Sequence, residues 1–311
     1  NESTQGNFIL LGFSDRPYLE RILFVVILIA YLLTLVGNTT IILVSRLDPH
    51  LHTPMYFFLT HLSFLDLGFT TSSIPQLLYN LNGHDKTISY TGCAIQLFLF
   101  LGLGGVECLL LAVMAYDRFV AVCKPLHYMV IMNPRLCVGL VSVAWSWSWI
   151  VGTVNSIAHT VYALHFPFCG SRAIDHFFCE VPAMLKLSCE DTTLYEQGVY
   201  VSGLIFLLVP FSLIFVSYVQ ILLTVLKMKS SEARKKSFST CSFHMIVVTM
   251  YYGPFIFTYM RPKAYHTPGQ DMYLAIFYTI ITPTLNPIIY SFRNKDVLEA
   301  MKNMLKSKFL H

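Results

Sequence analysis

The sequence predicts an all-α membrane protein, a seven-transmembrane helix bundle with a short amphipathic C-terminal helix. Hydrophobic residues make up 55% of the 311 positions and charged residues only 12%, whereas soluble domains carry about 25% charged residues. Seven apolar runs are long enough to cross a hydrocarbon core of about 30 Å, which needs about 20 helical residues. Asp117 and Arg118 end the third run. Because an arginine at the bilayer centre costs roughly 2.5 to 3.5 kcal/mol, Arg118 must lie at a membrane edge or have a function.

The predicted spans follow one another with short connections and no boundary between soluble domains, so we expect a single domain over 1–311. Residues 1–21 are expected to form an extracellular tail, and residues 293–311 a cytoplasmic helix and tail. The spans are predicted at 22–45, 55–81, 93–116, 136–160, 194–226, 238–260 and 272–292.

The basic residues predict the orientation. With the N-terminus outside, 14 of the 21 Lys and Arg residues fall in inner segments and 7 in outer ones, as the positive-inside rule requires. We therefore expect a multi-pass plasma-membrane protein with a cytoplasmic C-terminus and a glycosylation acceptor at Asn1 in the outer tail. The net charge of +4 follows from the same asymmetry and indicates no nucleic-acid partner.

Four cysteines fall on the predicted outer side, where disulfides persist: Cys93, Cys169, Cys179 and Cys189. Four cysteines permit three pairings. We expect Cys93 to pair with Cys179, which ties the third span to the long outer loop, and Cys169 to pair with Cys189 inside that loop.

Two acids lie deep in the predicted spans, Asp66 and Glu107. Intramembrane carboxylates are rare and usually face the bundle interior. At a common depth they can share a sodium ion or a proton, with Asn38, Ser63 and Asn286 as neutral oxygen ligands, since sodium suits hard oxygens. The sequence does not choose between the ion and the proton.

Prolines in the fifth, sixth and seventh predicted spans each remove a backbone hydrogen bond and kink a helix. Tyr218 and Tyr290 lie towards the inner ends of these helices and are expected to swing towards Arg118. Beyond them, apolar residues at 297, 298, 301, 304 and 305 give one apolar and one basic face, the pattern of a helix on the inner leaflet.

Four long motifs span the chain: LHTPMYFFL at 51–59, MAYDRFVAVC at 114–123, KSFSTC at 236–241 and PTLNPIIYSFRN at 283–294. In this order they closely resemble the olfactory (odorant) receptors, a family of rhodopsin-like G-protein-coupled receptors. The outer loop with three cysteines is similar to that of the tetrapod-type class.

The resemblance implies a receptor that binds an odorant and activates a stimulatory heterotrimeric G protein, which raises cyclic AMP. It also implies that Asp117 restrains Arg118 at rest, and that Arg118 is released on activation to contact the G protein while Tyr218 and Tyr290 brace the open state. Phe119 and Phe243 depart from the family pattern of tyrosine and serine at these positions.

Receptors of this architecture bind small molecules between the outer halves of the third, fifth, sixth and seventh spans. Counting helical turns from Arg118 and Pro210 predicts a mostly apolar lining with a few hydroxyls. This favours a small apolar volatile with one hydrogen-bonding group, and the lack of a deep acid at the outer end of the third span argues against an amine. The predicted lining is Phe100, Leu101, Gly104, Gly105, Val199, Ser202, Gly203, Phe206, Tyr252, Phe255, Ile256, Tyr259, Ile276 and Thr279.

Other membrane-protein classes fit less well. A retinal protein needs a lysine in the seventh span, and 272–292 has none. A transporter commonly shows related halves, and an intramembrane enzyme needs a catalytic motif; neither is visible, so no catalytic residue and no cofactor besides sodium is predicted. The remaining alternative is a non-olfactory peptide or lipid receptor.

Overall fold

The computed structural model describes residues 7–14, 17–83, 85–165, 171–261, 265, 267–292 and 297–302. Within these ranges the chain forms seven long helices, which confirms the predicted helical bundle. They are α1 (Pro17–Leu47), α2 (Pro54–Asn82), α3 (Tyr90–Cys123), α4 (Pro134–His165), α5 (Thr193–Lys227), α6 (Ser231–Tyr259) and α7 (268–292).

Six of these described helices, all except α2, are long and apolar enough to cross a membrane. α2 has a similar length but carries Asp66, His61 and several hydroxyl residues. It tolerates them because more than half of its residues are buried against other helices and do not face lipid. The chain is therefore a multi-pass membrane protein.

The helices extend beyond the predicted spans. α3 continues past 116 to Cys123, and α6 begins at Ser231, well before 238. These extensions are polar or amphipathic, and helical hydrogen bonds are local, so a helix continues into water after its apolar span ends. At the other end of α6, Met260 lies just outside the helix, one residue short of the prediction.

α5 and α7 are irregular near their prolines, whereas α6 continues as one helix through Pro254. π-helical turns occur at Leu204–Leu208 in α5 and at Phe277–Ile281 and Ile288–Phe292 in α7. Pro287 cannot donate to the carbonyl of Pro283, and that oxygen instead accepts a 3.2 Å hydrogen bond from Asn38 Nδ2 on α1. A Cβ at Gly37 would lie 2.8 Å from Pro287, so the glycine permits this close approach of α1 to α7.

A small sheet caps one end of the bundle, which the all-α prediction missed. Its strands are β1 (Phe8–Leu10), β2 (Thr87–Ile88) and β3 (Ala173–Ile174), in the order β2-β1-β3. β1 pairs antiparallel with β2 and parallel with β3. The predicted tail 1–21 therefore contains a strand, and α1 already begins at Pro17. Strands of two or three residues are too short to produce an alternating pattern.

The Cys93–Cys179 disulfide lies at the same end, as predicted. We call this the disulfide end and the opposite one the Arg118 end. Cys189 is also disulfide-bonded; Cys169, its predicted partner, lies outside the described residues, as does Asn1. Residues 297–302 are helical, and the rest of the predicted amphipathic helix is also outside the described ranges.

Candidate functional site

A cavity of about 60 Å³ lies towards the disulfide end, enclosed by α3, α4, α5 and α6. Its lining is almost entirely apolar, with Ser202, Asn155 and Tyr259 as the polar contributions. Ten of the fourteen residues predicted to contact a ligand line it: Phe100, Leu101, Gly104, Gly105, Val199, Ser202, Gly203, Phe206, Phe255 and Tyr259.

Four predicted residues do not line this cavity: Tyr252, Ile256, Ile276 and Thr279. Tyr252 is buried and donates a 2.7 Å hydrogen bond to the Cys108 carbonyl on α3, so it joins two helices. Thr279 donates to the Ala275 carbonyl within α7 at 2.6 Å. Ile256 and Ile276 pack against the hydrophobic core. The lining named for this cavity contains no α7 residue, so a ligand contact with the seventh helix stays a prediction.

The prediction also missed the contribution of α4. Gly152 and Asn155 line the cavity, together with Cys108, Val181 and Leu207. Asn155 is half-buried, and its amide makes no hydrogen bond within the described part of the chain. Counting turns from Arg118 and Pro210 gives no reference point on α4. A lone asparagine in an apolar span was the available signal.

Two glycines on α3 create space beside the cavity. A Cβ at Gly105 would contact the Phe206 ring at 3.6 Å, and one at Gly104 would contact the Tyr251 hydroxyl at 3.5 Å. A Cβ at Gly102, on the same helix, would meet nothing within 4 Å. A side chain longer than a methyl group at 104 or 105 would therefore press on Tyr251 or Phe206, whereas one at 102 has open space beside its Cβ.

Glu180, in the loop after β3, lies buried at the disulfide end and was not predicted. Its Oε1 accepts hydrogen bonds from the Tyr259 hydroxyl at 3.0 Å and the Tyr278 hydroxyl at 2.7 Å. Burial raises the pKa of Glu180 to about 7. Because Tyr259 also lines the cavity, this carboxyl group is one hydrogen bond away from the space for a ligand.

His176 lies on the other side of Glu180. Its Nε2 is 3.2 Å from Glu180 Oε2, at an angle outside hydrogen-bond geometry, and its Nδ1 accepts from the Phe178 amide at 3.4 Å. Burial lowers the pKa of His176 to about 3, so the imidazole is neutral at physiological pH. The contact is therefore not an ion pair under those conditions.

Two tyrosines connect the cavity wall to the next layer of the bundle. Tyr251 on α6 donates to the Gly104 carbonyl at 3.1 Å, beside the Tyr252 bond to Cys108. α6 is thus attached to α3 by two successive buried hydrogen bonds next to the cavity.

The two intramembrane acids are both buried and interact electrostatically. Asn286 Nδ2 donates to Asp66 Oδ2 at 2.9 Å. Asp66 Oδ1 and both oxygens of Glu107 have no hydrogen-bond partner within the described residues. Three carboxylate oxygens thus need a proton or a cation, and Asn286 Oδ1 and Asn38 Oδ1 are also without a donor.

At the Arg118 end, the structure brings Asp117 and Arg118 together. Arg118 Nη2 lies 3.3 Å from Asp117 Oδ2, and the Tyr128 hydroxyl donates to Asp117 Oδ1 at 2.7 Å. Asp117 is almost completely buried, so these two partners stabilise its charge. The sequence predicted the ion pair but not Tyr128.

The predicted tyrosines of α5 and α7 flank a histidine, His244 on α6. The Tyr218 hydroxyl lies 2.8 Å from His244 Nδ1 on α6, and the Tyr290 ring centroid is 6.3 Å from that of His244. The Tyr290 hydroxyl has no hydrogen-bond partner among the described residues. A histidine inside an apolar span was the signal that could have identified this residue.

Comparison with known proteins gives a consistent result. The family model described as "Olfactory receptor" matches residues 27–308. Olfactory receptor 2AJ1 of Homo sapiens is 61% identical over 311 residues, which is 100% of this chain and 94% of that protein. Olfactory receptor 2W3 of Homo sapiens is 63% identical over 308 residues, which is 99% of this chain and 97% of that protein. Olfactory receptor 2C1 of Mus musculus is 54% identical over 305 residues, which is 98% of this chain and 96% of that protein.

Proposed function

We propose, since this chain belongs to the olfactory receptor family, that it binds a small, mostly apolar volatile in the cavity between α3, α4, α5 and α6. Members of this family are G-protein-coupled receptors, so the chain is a receptor and not an enzyme. We further propose that it activates a stimulatory heterotrimeric G protein and thereby raises cyclic AMP. The observation that carries the proposal is an apolar cavity next to the α3–α6 hydrogen bonds, lined by Asn155, whose amide has no hydrogen-bond partner among the described residues.

The orientation in this proposal places the disulfide end outside the cell and the Arg118 end in the cytoplasm of a plasma-membrane protein. The distribution of Lys and Arg supports it, as does the oxidised Cys93–Cys179 pair. An epitope added before residue 1 should be accessible to antibody on intact cells, and one added after residue 311 only after permeabilisation. The reverse accessibility would contradict the orientation.

The size of the cavity supports a mechanism. An engineered cavity of about 150 Å³ holds benzene, and the cavity here has about 60 Å³. A volatile of that size or larger therefore binds better when the wall moves outward, and it shifts the population towards the widened state. Phe206 on α5 and Phe255 on α6 lie on this wall.

In the proposed activation step, the wall movement displaces α6 relative to α3. Near the Arg118 end, α6 carries His244, which engages Tyr218 at rest. A shift of α6 separates this pair, so that the Tyr218 and Tyr290 hydroxyls become available to Arg118. Arg118 then leaves Asp117 and contacts the G protein, as inferred from the family resemblance.

A matched pair of glycine substitutions tests the position of the ligand. Gly105→Leu places a side chain against Phe206, whereas Gly102→Leu enters open space on the same helix. After a cyclic-AMP screen of volatiles has identified an agonist, we expect Gly105→Leu to lower its potency at least tenfold and Gly102→Leu to leave it unchanged, at equal surface expression. Equal effects of the two substitutions on agonist potency would show that the ligand binds elsewhere in the receptor.

Purified receptor tests the G-protein class. Agonist should accelerate nucleotide exchange on a stimulatory heterotrimer more than on an inhibitory one. A preference for the inhibitory heterotrimer would refute the proposed coupling but would not contradict the proposed ligand site.

A further inference from the structure

A groove of about 410 Å³ opens at the Arg118 end, between the end of α1 and the beginnings of α2 and α4. It is far from the proposed ligand cavity and several times larger. Met129 and Met132, which follow Tyr128 in the chain, also line it. The groove therefore borders the segment that holds Asp117, and the proposed function gives it no role.

The interior of the groove is apolar. Leu51 and Met132 line it and are each 1% exposed, while Phe57 and Cys137 contribute further apolar surface. Val138 on the spanning helix α4 is 52% exposed, so the groove opens sideways, where lipid surrounds the bundle. Such an interior suits a hydrocarbon chain, and a soluble anion would gain nothing from it.

The mouth of the groove is positively charged. Arg46, in the last turn of α1, is exposed and forms no ion pair or hydrogen bond through its side chain in the part of the chain that the structure describes. His52 Nε2 lies 3.4 Å from the Arg46 carbonyl oxygen. Thr53 precedes α2, lines the groove and makes no side-chain cap bond, so the positive end of the α2 dipole at this mouth also favours an anion.

Two polar side chains inside the groove lack partners. Ser45 is 7% exposed, and its hydroxyl makes no hydrogen bond within the described ranges. His61 is half-buried against the Phe57 ring, at 4.9 Å between centroids, and its ring nitrogens make no hydrogen bond there either. Both side chains line the open space of the groove, so an occupant can supply polar atoms to them below its charged group.

We propose that this groove binds an anionic phospholipid of the surrounding leaflet. Its phosphate lies at Arg46 and the first turn of α2, its glycerol and ester oxygens face Ser45 and His61, and an acyl chain follows Phe57 and Val138. α1 ends at Leu47 and α2 begins at Pro54, so Arg46 lies at the depth of lipid headgroups. A zwitterionic lipid or a sterol brings no net negative charge to Arg46, which is why an anionic headgroup fits best.

The test is native mass spectrometry of the full receptor, delipidated in detergent and then titrated with dioleoyl phosphatidylserine, dioleoyl phosphatidylcholine or cholesterol. A basic residue near the headgroup plane attracts anionic lipid enough to change its retention about fivefold. We expect the wild-type receptor to retain phosphatidylserine about fivefold better than phosphatidylcholine, and Arg46→Ala to abolish this preference. Lys227→Ala removes an exposed basic residue at the same end, outside the groove, and should keep it.

A second variant tests the apolar part without changing charge. Val138→Trp adds a large side chain at an exposed position of the groove, where the folded core is not disturbed. Because the indole fills the space proposed for the acyl chain, this variant should retain less of both phospholipids. Equal retention of the two phospholipids by the wild-type receptor, an unaltered preference in Arg46→Ala, or displacement of phosphatidylserine by cholesterol would each overturn the proposal. None of these results depends on an odorant or a G protein.

Discussion

Tyr128 donates a 2.7 Å hydrogen bond to Asp117, whose other carboxylate oxygen lies 3.3 Å from Arg118. The tyrosine belongs to the short helix Tyr128–Ile131, after α3. It therefore connects the loop at the Arg118 end to the acid that lies beside this arginine. A hydrogen bond to a charged group is worth roughly 1.5 to 3 kcal/mol, enough to influence the balance between resting and active states.

Removing this hydroxyl should raise basal activity. We expect Tyr128→Phe to increase ligand-free nucleotide exchange on a stimulatory G protein several-fold, because Asp117 loses a donor and holds Arg118 in the resting position less firmly. Tyr116→Phe is the control, since Tyr116 is exposed on α3. Identical basal exchange in Tyr128→Phe and the wild-type receptor would mean that this bond does not restrain activation.

Glu180 and His176 should give opposite pH dependences of stability. The folded-state pKa of Glu180 is raised from 4.5 to about 7, so its contribution to stability falls as pH rises from about 4.5 to 7, where the unfolded acid ionises first. The pKa of His176 is lowered from 6.5 to about 3, so its contribution falls as pH drops from about 6.5 to 3. Between pH 4.5 and 6.5 the two contributions oppose each other.

Glu180→Gln separates the two contributions. The amide still accepts from Tyr259 and Tyr278 but cannot ionise. We expect the melting temperature of this variant to rise relative to that of the wild-type receptor as pH increases from 4.5 to 7. Glu190→Gln, at an exposed acid later in the same loop, should parallel the wild-type curve. A constant offset between Glu180→Gln and wild type across this range would rule out the raised pKa.

Asn155 should contribute specificity to odorant binding. Its amide lines the cavity without a hydrogen bond in the described structure, so a ligand oxygen can pair with it at little cost. We expect Asn155→Ala to lower the potency of an oxygenated agonist about tenfold, consistent with one hydrogen bond of roughly 1.4 kcal/mol.

The comparison ligand for Asn155 is a hydrocarbon analogue of the same shape, whose activity should not change in Asn155→Ala. Concentration–response curves in the cyclic-AMP assay provide the measurement. Equal losses for both ligands would show that Asn155 supports the cavity wall and does not recognise oxygen.

The buried pair Asp66 and Glu107 should respond to sodium. Three of its four carboxylate oxygens lack donors among the described residues, and a cation between the two acids would contact all of them, so we expect a cation to bind there. Replacing choline chloride with sodium chloride should raise the melting temperature of the wild-type receptor by several degrees, because ligand binding stabilises the folded state. Glu107→Gln should abolish the sodium effect, and Glu299→Gln, at an exposed acid, should retain it. Sodium independence of the wild-type receptor would favour the shared proton.

Local features of the chain were sufficient for much of the fold. Each span was recognisable because about 20 consecutive apolar residues have few alternatives to a membrane helix. Helical periodicity also placed Gly104, Gly105 and Phe206 around one cavity, since residues three and four apart share a face. The rotation of α4 and α7 about their own axes had no such reference, which explains why the sequence did not place Asn155 at this cavity and placed Thr279, which does not line it, there.

The sequence by itself therefore determined the spanning helices and the ion pair of Asp117 with Arg118, and it favoured the disulfide between Cys93 and Cys179 among three possible pairings. These follow from hydrophobicity, redox environment and residues adjacent in the chain. Only the tertiary structure decided that Glu180 meets Tyr259 and Tyr278, that Tyr218 meets His244, and that a tail strand joins two loops. Such contacts join residues that are distant in sequence, and their geometry depends on how rigid helices pack and on the path each loop takes between them.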